Sequence, residues 1–350
     1  MAGRKRVYLD HNATMPLRPE ARAAMVEAMD VVGNPSSVHA EGRAAKALVE
    51  RARGQVAAAI GAQASDIVFV SGATEAAALA LAGRGVHGAA IEHDAVRAWI
   101  TEDLPVGPDG SVTVDDPASS TLQAANSETG ILQELREGLA VSDWTQAFGK
   151  MPMAFDWSGV EMALISAHKI GGPKGIGALI LRRGLDEEAR IRGGGQEMGR
   201  RSGTENIIGI AGFGAAAEAA AQDLERGVWR DVEKLRNILE KTLEARAKET
   251  IFVGQGRPRL PNTSCIVTPG WKGETQVMQM DLAGFAVSAG SACSSGKVRT
   301  SGVLTAMGLD ERAAGSAIRV SLGPETTEAE LRDFAEAWGA AHDRFQARAA

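Results

Sequence analysis

The chain has 350 residues, of which 44% are hydrophobic and 23% charged, a composition typical of a folded globular protein and not of a disordered one. Its 44 acidic residues outnumber its 38 basic ones, and the net charge of −6 argues against a protein that follows a nucleic-acid phosphate backbone. The two cysteines, Cys265 and Cys293, are too few for a disulfide framework or a cysteine-rich zinc site, so no metal site is expected.

The amino-terminal segment does not resemble a secretion signal. A short basic run is followed by only three apolar residues, at positions 7–9, before Asp10. No window approaches the roughly 20 apolar residues that a membrane span needs. We therefore expect a cytoplasmic protein with neither nucleic-acid nor membrane partners.

The predicted elements of the first part of the chain alternate between helices and short apolar strands. One helix is predicted over 19–29, with a proline in its first turn, and a second over 41–60, ending at Gly61. A buried strand is predicted at 67–70. Further short apolar runs lie at 88–92, 121–126, 161–166 and 176–181. This alternation predicts an α/β fold with a mostly parallel sheet covered by helices on both faces.

The pattern changes after about residue 227. Long charged helices are predicted over 228–248 and 327–346, and short strands at 263–267 and 318–321. We therefore expect a large domain over residues 15–227 and a smaller α/β domain formed by residues 1–14 and 228–350.

Two glycine-containing turns follow predicted strands and are candidates for ligand binding. The first, SGATEA at 71–76, leads into a helix near Thr74, where free N–H groups suit a phosphate, although an ordinary N-cap threonine explains it equally simply. The second, SAHKIGGPKGIG at 166–177, places Lys169 before a tight turn at a strand's carboxyl end. A partly desolvated lysine there can act as a nucleophile on a carbonyl, while the alternative is a solvated charge.

Three further side chains lie near predicted strand ends. Asp143, three residues before Gln146, could keep a pyridine nitrogen protonated or could simply cap a helix. His93 could be structural or could act as an acid–base group over a planar cofactor. Cys293 lies among serines, alanines and glycines close to Lys297 and Arg299, which favours a reactive thiol, whereas Cys265 lies in an apolar run and is expected to be inert.

The order of these motifs along the chain is more specific than any one of them. The sequence resembles the NifS/IscS-type cysteine desulfurases, which are pyridoxal-phosphate enzymes of fold type I within the class V aminotransferase-like group. The resemblance rests on YLDHNAT (8–14), GNPSS (33–37), SGATEA (71–76), EHDAV (92–96), SAHKIGGPKGIGAL (166–179), RRSGTEN (200–206), SAGSACSSG (288–296) and IRVSLG (318–323).

The resemblance implies a role for each matching residue. Lys169 would form the covalent link to pyridoxal 5′-phosphate, His93 would stack on its ring and move protons, and Cys293 would take up sulfur. The remaining cofactor-binding residues would be Thr74, Ala73, Asp143, Gln146, Ser166, His168, Ser127 and, from the other subunit of a homodimer, Thr204. Arg319 and Asn34 would bind the substrate carboxylate, because a planar guanidinium suits a carboxylate.

The implied reaction converts L-cysteine to L-alanine and leaves a persulfide on Cys293 for a protein acceptor such as an iron–sulfur scaffold. The sequence departs from the family at Ser127, where asparagine is usual, at Gln196, where histidine is common, and in a shortened 101–142 region. Two alternatives therefore stand beside a desulfurase. They are another lyase or aminotransferase that uses the same cofactor, and a weakly active or inactive scaffold protein.

Overall fold

The computed structural model describes residues 6–290 and 300–349. Its helices are α1 (Pro19–Met29), α2 (Ala40–Ile60), α3 (Ala73–Leu81), α4 (Asp94–Arg97), α5 (Phe155–Ser158), α6 (Ile207–Glu225), α7 (Val228–Arg246), α8 (Gly273–Leu282), α9 (Gly302–Ala306), α10 (Glu311–Ala314) and α11 (Glu328–Ala349). Its strands are β1 (Val7–Tyr8), β2 (Ile67–Val70), β3 (His87–Ala89), β4 (Thr101–Leu104), β5 (Ser142–Asp143), β6 (Met162–Ser166), β7 (Gly177–Leu181), β8 (Ile251–Phe252), β9 (Thr263–Val267), β10 (Phe285–Ala286), β11 (Ser288–Ala289) and β12 (Ala317–Ser321). Short 3-10 helices cover Ala64–Asp66, Pro117–Ser119, Ala167–Lys169 and Gln196–Gly199.

The helix boundaries follow the local signals in the sequence. Helix α1 begins at Pro19, as predicted, and α2 ends at Gly61, which adopts φ +67° and so favours glycine. The apolar run at 121–126 does not form a regular strand: Thr121 and Ala125 form isolated bridges, with Val141 and Leu132, and Leu122 and Ala124 donate to the main-chain oxygens of Val141 and Asp143. The Gln123 N–H donates instead to the Glu92 carboxylate, which removes it from a ladder.

The main sheet has the strand order β2-β7-β6-β5. Strand β7 runs antiparallel to both of its neighbours, whereas β5 and β6 are parallel. The pairing of β3 with β4 and the bridge of Thr121 to Val141 are also parallel. The predicted α/β architecture is therefore confirmed, with one reversed strand in its centre.

Both faces of this sheet are buried, which explains why its strands are continuous apolar runs. Alternate residues Ile67 and Phe69 pack with α1, α2 and α6 on one face. Val68 and Val70 pack with α3 and α4 on the other. Because the strands are anchored on both sides, the residues at their ends hold fixed positions.

A second sheet, with order β11-β12-β9-β8, forms in the later part of the chain. Its apolar face packs with α7, α8 and α11 around Trp271 and Trp338. The amino-terminal strand β1 joins this region by pairing with β10. These pairings agree with the expected grouping of residues 1–14 with 228–350, and the boundaries themselves stay a prediction. Among the described residues, no helix is long and apolar enough to cross a bilayer.

Candidate active site

A cavity of about 560 Å³ opens where β2, β5 and β6 end. Ligands bind at the carboxyl ends of strands in open α/β sheets, so this is the place where a site is expected. The cavity brings together residues that lie far apart in the sequence. Those among the predicted site residues are Ala73, Thr74, His93, Ser127, Asp143, Gln146, Ser166, His168 and Lys169.

Lys169 lies in the 3-10 turn that follows β6 and is half-buried. Its Nζ donates to the main-chain oxygens of Asn12, at 2.6 Å, and Ala13, at 3.0 Å. The turn continues through Gly171, whose φ of +81° and close approach to Arg18 exclude a larger side chain. The solvated-charge alternative is therefore wrong, because the amine is hydrogen-bonded at the wall of a cavity.

One end of the cavity is formed by the start of α3. Gly72 precedes the helix, and the first-turn N–H groups at Ala73 and Thr74 have no acceptor within an α-helix. The macrodipole adds positive potential at the same place, so this end suits an anion. Gly177 of β7 lies directly beneath, where a Cβ would approach the Gly72 Cα to 2.8 Å.

His168 and Lys174 complete this end of the cavity. Burial and the neighbouring Lys169 lower the pKa of His168 to about 4, so its imidazole is neutral at pH 7. The Nδ1 atom of His168 is buried without a hydrogen-bond partner among the described residues. An unpartnered polar atom beside a cationic wall is what a bound anion would satisfy.

The opposite part of the cavity contains Asp143, at the end of β5. One carboxylate oxygen accepts from the Thr145 N–H at 2.8 Å, so the local capping role that the sequence allowed is present. The same side chain also lines the cavity. The hydroxyl oxygen of Thr145 is buried without a partner among the described residues. Capping and ligand binding are therefore compatible here.

His93 precedes α4, and its Nδ1 accepts from the Ala95 N–H at 3.1 Å. This bond requires Nδ1 to be unprotonated, which places the imidazole proton on Nε2. The preceding residue, Glu92, is buried, and burial together with nearby Asp143 raises the pKa of its carboxyl to about 8. The carboxyl next to His93 in the sequence is therefore largely neutral at pH 7.

Three predicted residues do not line the cavity. Arg319 is buried, pairs with Asp10 at 2.9 Å and donates to the Ser127 main-chain oxygen at 3.0 Å. Asn34 is exposed and caps a turn by accepting from the Ser36 N–H. Thr204 is also exposed.

The structure describes one of the two cysteines. Cys293 lies outside the described residues. Cys265 is completely buried in β9, and burial raises the pKa of its thiol. The inert role expected for Cys265 agrees with this placement.

The structure adds two residues that sequence reasoning missed. The Asn12 main-chain oxygen accepts from both Lys169 and Gln146, and its side chain bonds the Ser127 oxygen and Thr263. Lys150 is buried and donates to the side-chain oxygens of Asn12 and Gln146. The motif YLDHNAT contains Asn12, but no pattern indicated that a lysine after Gly149 would be buried.

Comparisons with known proteins agree on one family. The model of the aminotransferase class-V family matches residues 7–96 and 116–334. A cysteine desulfurase of Cereibacter sphaeroides is 40% identical and covers 93% of each chain. The cysteine desulfurase IscS of Dictyoglomus turgidum is 35% identical over 94% of this chain and 92% of its own. A NifS-like protein of Rickettsia africae superposes with a TM-score of 0.88, at 33% identity, over 97% of this chain and 99% of that one.

Proposed function

The chain belongs to the aminotransferase class-V family, and from this premise we propose that it is a cysteine desulfurase that depends on pyridoxal 5′-phosphate. The resemblance inferred from the motifs is thereby confirmed at the level of the family and of the fold class. The observation that carries the proposal is the placement of Lys169 and Asp143 on one cavity beside the start of α3. A carbonyl-reactive amine, an acid for a ring nitrogen and an anion site are what this cofactor requires.

The lining residues fit the cofactor in chemistry and in size. The phosphate would be held by Ala73, Thr74, Ser166 and His168. The Nδ1 atom of His168 has no hydrogen-bond partner among the described residues, and Lys174 lines the same cavity. Thr204 of a second subunit would join them in a homodimer. Asp143 would face the pyridine nitrogen, Gln146 the phenolic oxygen, and His93 the ring face. When bound, the group supplies an electrophilic aldehyde and a sink for electrons.

The amino-acid substrate would bind above these groups. Arg319 is proposed to hold its carboxylate, with Asn34 and Ser127 nearby in the family pattern. In the structure the Arg319 guanidinium already pairs with Asp10, and its Nε is buried without a partner among the described residues. Asp10 would therefore orient the guanidinium.

Two side chains would carry out the proton transfers to and from the substrate. Lys169, whose amine lies on the cavity wall, would take the proton from Cα of the substrate at its Nζ. His93, with its proton on Nε2, would serve as the second acid–base group. The surrounding walls of Val96 and Ala125 exclude water from this side of the cavity.

The proposed sulfur transfer needs no external oxidant or reductant. The Cβ–S bond of cysteine breaks and a Cβ–H bond replaces it, giving alanine. The sulfur bonds to Sγ of Cys293, whose S–H is replaced by S–S–H. The persulfide would then pass its outer sulfur to a protein acceptor, for which an iron–sulfur scaffold is one candidate, in the cytoplasm.

The proposal is tested by assaying alanine and, after reduction with dithiothreitol, sulfide from L-cysteine. We expect the wild-type protein to be coloured and to release both products in equal amounts. Lys169→Ala should be colourless and inactive, and Cys293→Ser should be coloured but should transfer no sulfur. Full activity of Cys293→Ser on another amino acid would indicate a different lyase or aminotransferase. A colourless wild-type protein that releases no alanine would indicate a scaffold protein and overturn the proposal.

A further inference from the structure

Lys150 is a buried amine outside the cavity lining, and the proposed chemistry does not use it. Its side chain is 1% exposed. Its hydrogen-bond partners in the described part of the chain are two neutral amide oxygens, Gln146 Oε1 at 2.9 Å and Asn12 Oδ1 at 3.1 Å. Burying an amine without a carboxylate costs free energy, so a specific role must offset that cost.

The hydrogen bonds of Lys150 define how the Gln146 amide is turned. An amine beside an amide group donates to its oxygen, so Oε1 faces Lys150. The amide nitrogen then faces the other way and donates to the Asn12 main-chain oxygen at 3.0 Å. The reversed amide would place its N–H groups against the amine and its oxygen against the Asn12 oxygen, which are both unfavourable.

We propose that Lys150 is a positioning residue, which holds Gln146 so that its amide N–H groups, and not its oxygen, serve the cofactor. Gln146 lines the cavity, and the described residues supply one acceptor for its nitrogen. A second N–H is therefore left for an acceptor in the cavity, and the phenolic oxygen is the acceptor that the proposed function places there. The inference rests on that function.

The ionisation of Lys150 does not alter this geometry. Burial lowers the pKa of Lys150 well below its ordinary value, and the cations of Lys169 and Arg319 lower it further. The neutral amine still carries two N–H groups, one for each amide oxygen. The Asn12 main-chain oxygen can only accept, so the amide orientation with its nitrogen toward Asn12 and its oxygen toward Lys150 stays favoured in either charge state.

The test is a double-mutant cycle read out as the affinity of the cofactor-free protein for pyridoxal 5′-phosphate, from an absorbance titration. Lys150→Met should weaken binding on the order of tenfold in the wild-type background, the effect of losing one hydrogen bond to a charged group. In a Gln146→Ala background the same change should alter affinity by less than about twofold, because the residue through which it acts is gone.

Asn262→Ala is the matched control. Asn262 is as buried as Lys150 and also donates to Asn12 Oδ1, at 3.0 Å, but does not touch Gln146. This variant should lower the melting temperature and leave affinity within about twofold of wild type. If Lys150→Met does not fold, Lys150→Gln, which keeps a donor, enters the same cycle and should fall between wild type and Gln146→Ala.

Each result decides the matter. The inference is overturned if Lys150→Met leaves the affinity for the cofactor unchanged, or if it lowers that affinity equally in both backgrounds. It is also overturned if Asn262→Ala lowers the affinity as much as Lys150→Met does. In each of these cases the wild-type protein still makes alanine, so the proposed function stands. A wild-type protein that binds no cofactor and makes no alanine overturns the proposed function and this inference together.

Discussion

The Lys169 ammonium donates to the main-chain oxygen of Asn12 across 2.6 Å, although the two residues are 157 positions apart. Gln146 donates to the same oxygen at 3.0 Å. The reactive amine is thus located by a backbone atom, whose position depends on the side chain of Asn12. That side chain bonds Ser127, Lys150, Asn262 and Thr263.

Replacing Asn12 should therefore affect both stability and cofactor binding. Asn12→Ala removes four hydrogen bonds at about 1 kcal/mol each, for a loss of about 4 kcal/mol in the free energy of unfolding. The main-chain oxygen at position 12, which accepts from both Lys169 and Gln146, should then move, so the affinity for pyridoxal phosphate should fall roughly tenfold. Asn206→Ala, which removes the N-cap of α6, is the control. It should cost about 1 kcal/mol and leave affinity unchanged, and equal affinity losses in both variants would contradict this account.

Glu92 predicts a pH dependence of stability. Its folded pKa of about 8 exceeds its ordinary value, so its carboxyl releases a proton on unfolding between pH 4.5 and about 8, and the stability that Glu92 contributes falls as pH rises through that window. Glu92→Gln should flatten the decline by up to about 1.4 kcal/mol per pH unit, as seen in melting temperatures from pH 5 to 8. The exposed Glu27→Gln should keep the wild-type slope. An unchanged slope in Glu92→Gln would show that its carboxyl is ionised in the folded protein.

The close packing around Gly177, beneath the start of α3, predicts that no larger side chain fits at this position. A Cβ there would lie 2.6 Å from the Ile165 main-chain oxygen and 2.8 Å from the Gly72 Cα, both backbone atoms. Gly177→Ala should cost about 2 kcal/mol and weaken cofactor binding, because it displaces the start of the helix. Gly54→Ala, inside α2 with open space around it, should instead stabilise the protein by about 0.5–1 kcal/mol. Thermal melts and the absorbance titration measure both effects, and a neutral Gly177→Ala would be the contrary result.

The two cysteines form a natural pair of variants. Cys293→Ser should lower sulfide release by at least about 100-fold while the cofactor stays bound, since the thiol is the proposed sulfur acceptor. Cys265→Ala should keep activity and lose about 1–2 kcal/mol of stability, because it opens a small cavity in the core. Sulfide assays and thermal melts on both variants test whether Cys293 is the sulfur acceptor and Cys265 a core residue. Loss of sulfide release in Cys265→Ala together with full release in Cys293→Ser would contradict this assignment.

Local signals in the sequence were sufficient for the helices and the buried strands. Pro19 and Gly61 mark boundaries through their own backbone preferences, and β2, β6 and β7 are apolar because both faces of the sheet are covered. The run at 121–126 pairs only through isolated bridges and single hydrogen bonds, and its Gln123 N–H donates to a carboxylate 31 residues away, that of Glu92. Composition cannot reveal such a contact.

His93, Asp143 and Lys169 were candidates because each lies near the end of a predicted strand, and strand ends converge. Ser127, Ser166 and His168 were expected only from the family resemblance. Asn12 and Lys150 were not predicted, since they act through hydrogen bonds that exist only when the chain is folded. The partner of Arg319 was missed for the same reason, because Asp10 is 309 residues away. Ser127 lines the cavity as expected, and its main-chain oxygen accepts from Asn12 and Arg319.

The most direct measurement concerns which lysine binds the cofactor. Borohydride reduction of the purified protein makes a lysine–pyridoxal link permanent, and peptide mass spectrometry then locates it. We predict a single modified residue, Lys169, with none at the exposed Lys174 on the same cavity or at the buried Lys150. A cofactor found on Lys174 or Lys150, or a protein that retains no cofactor, would contradict the central claim.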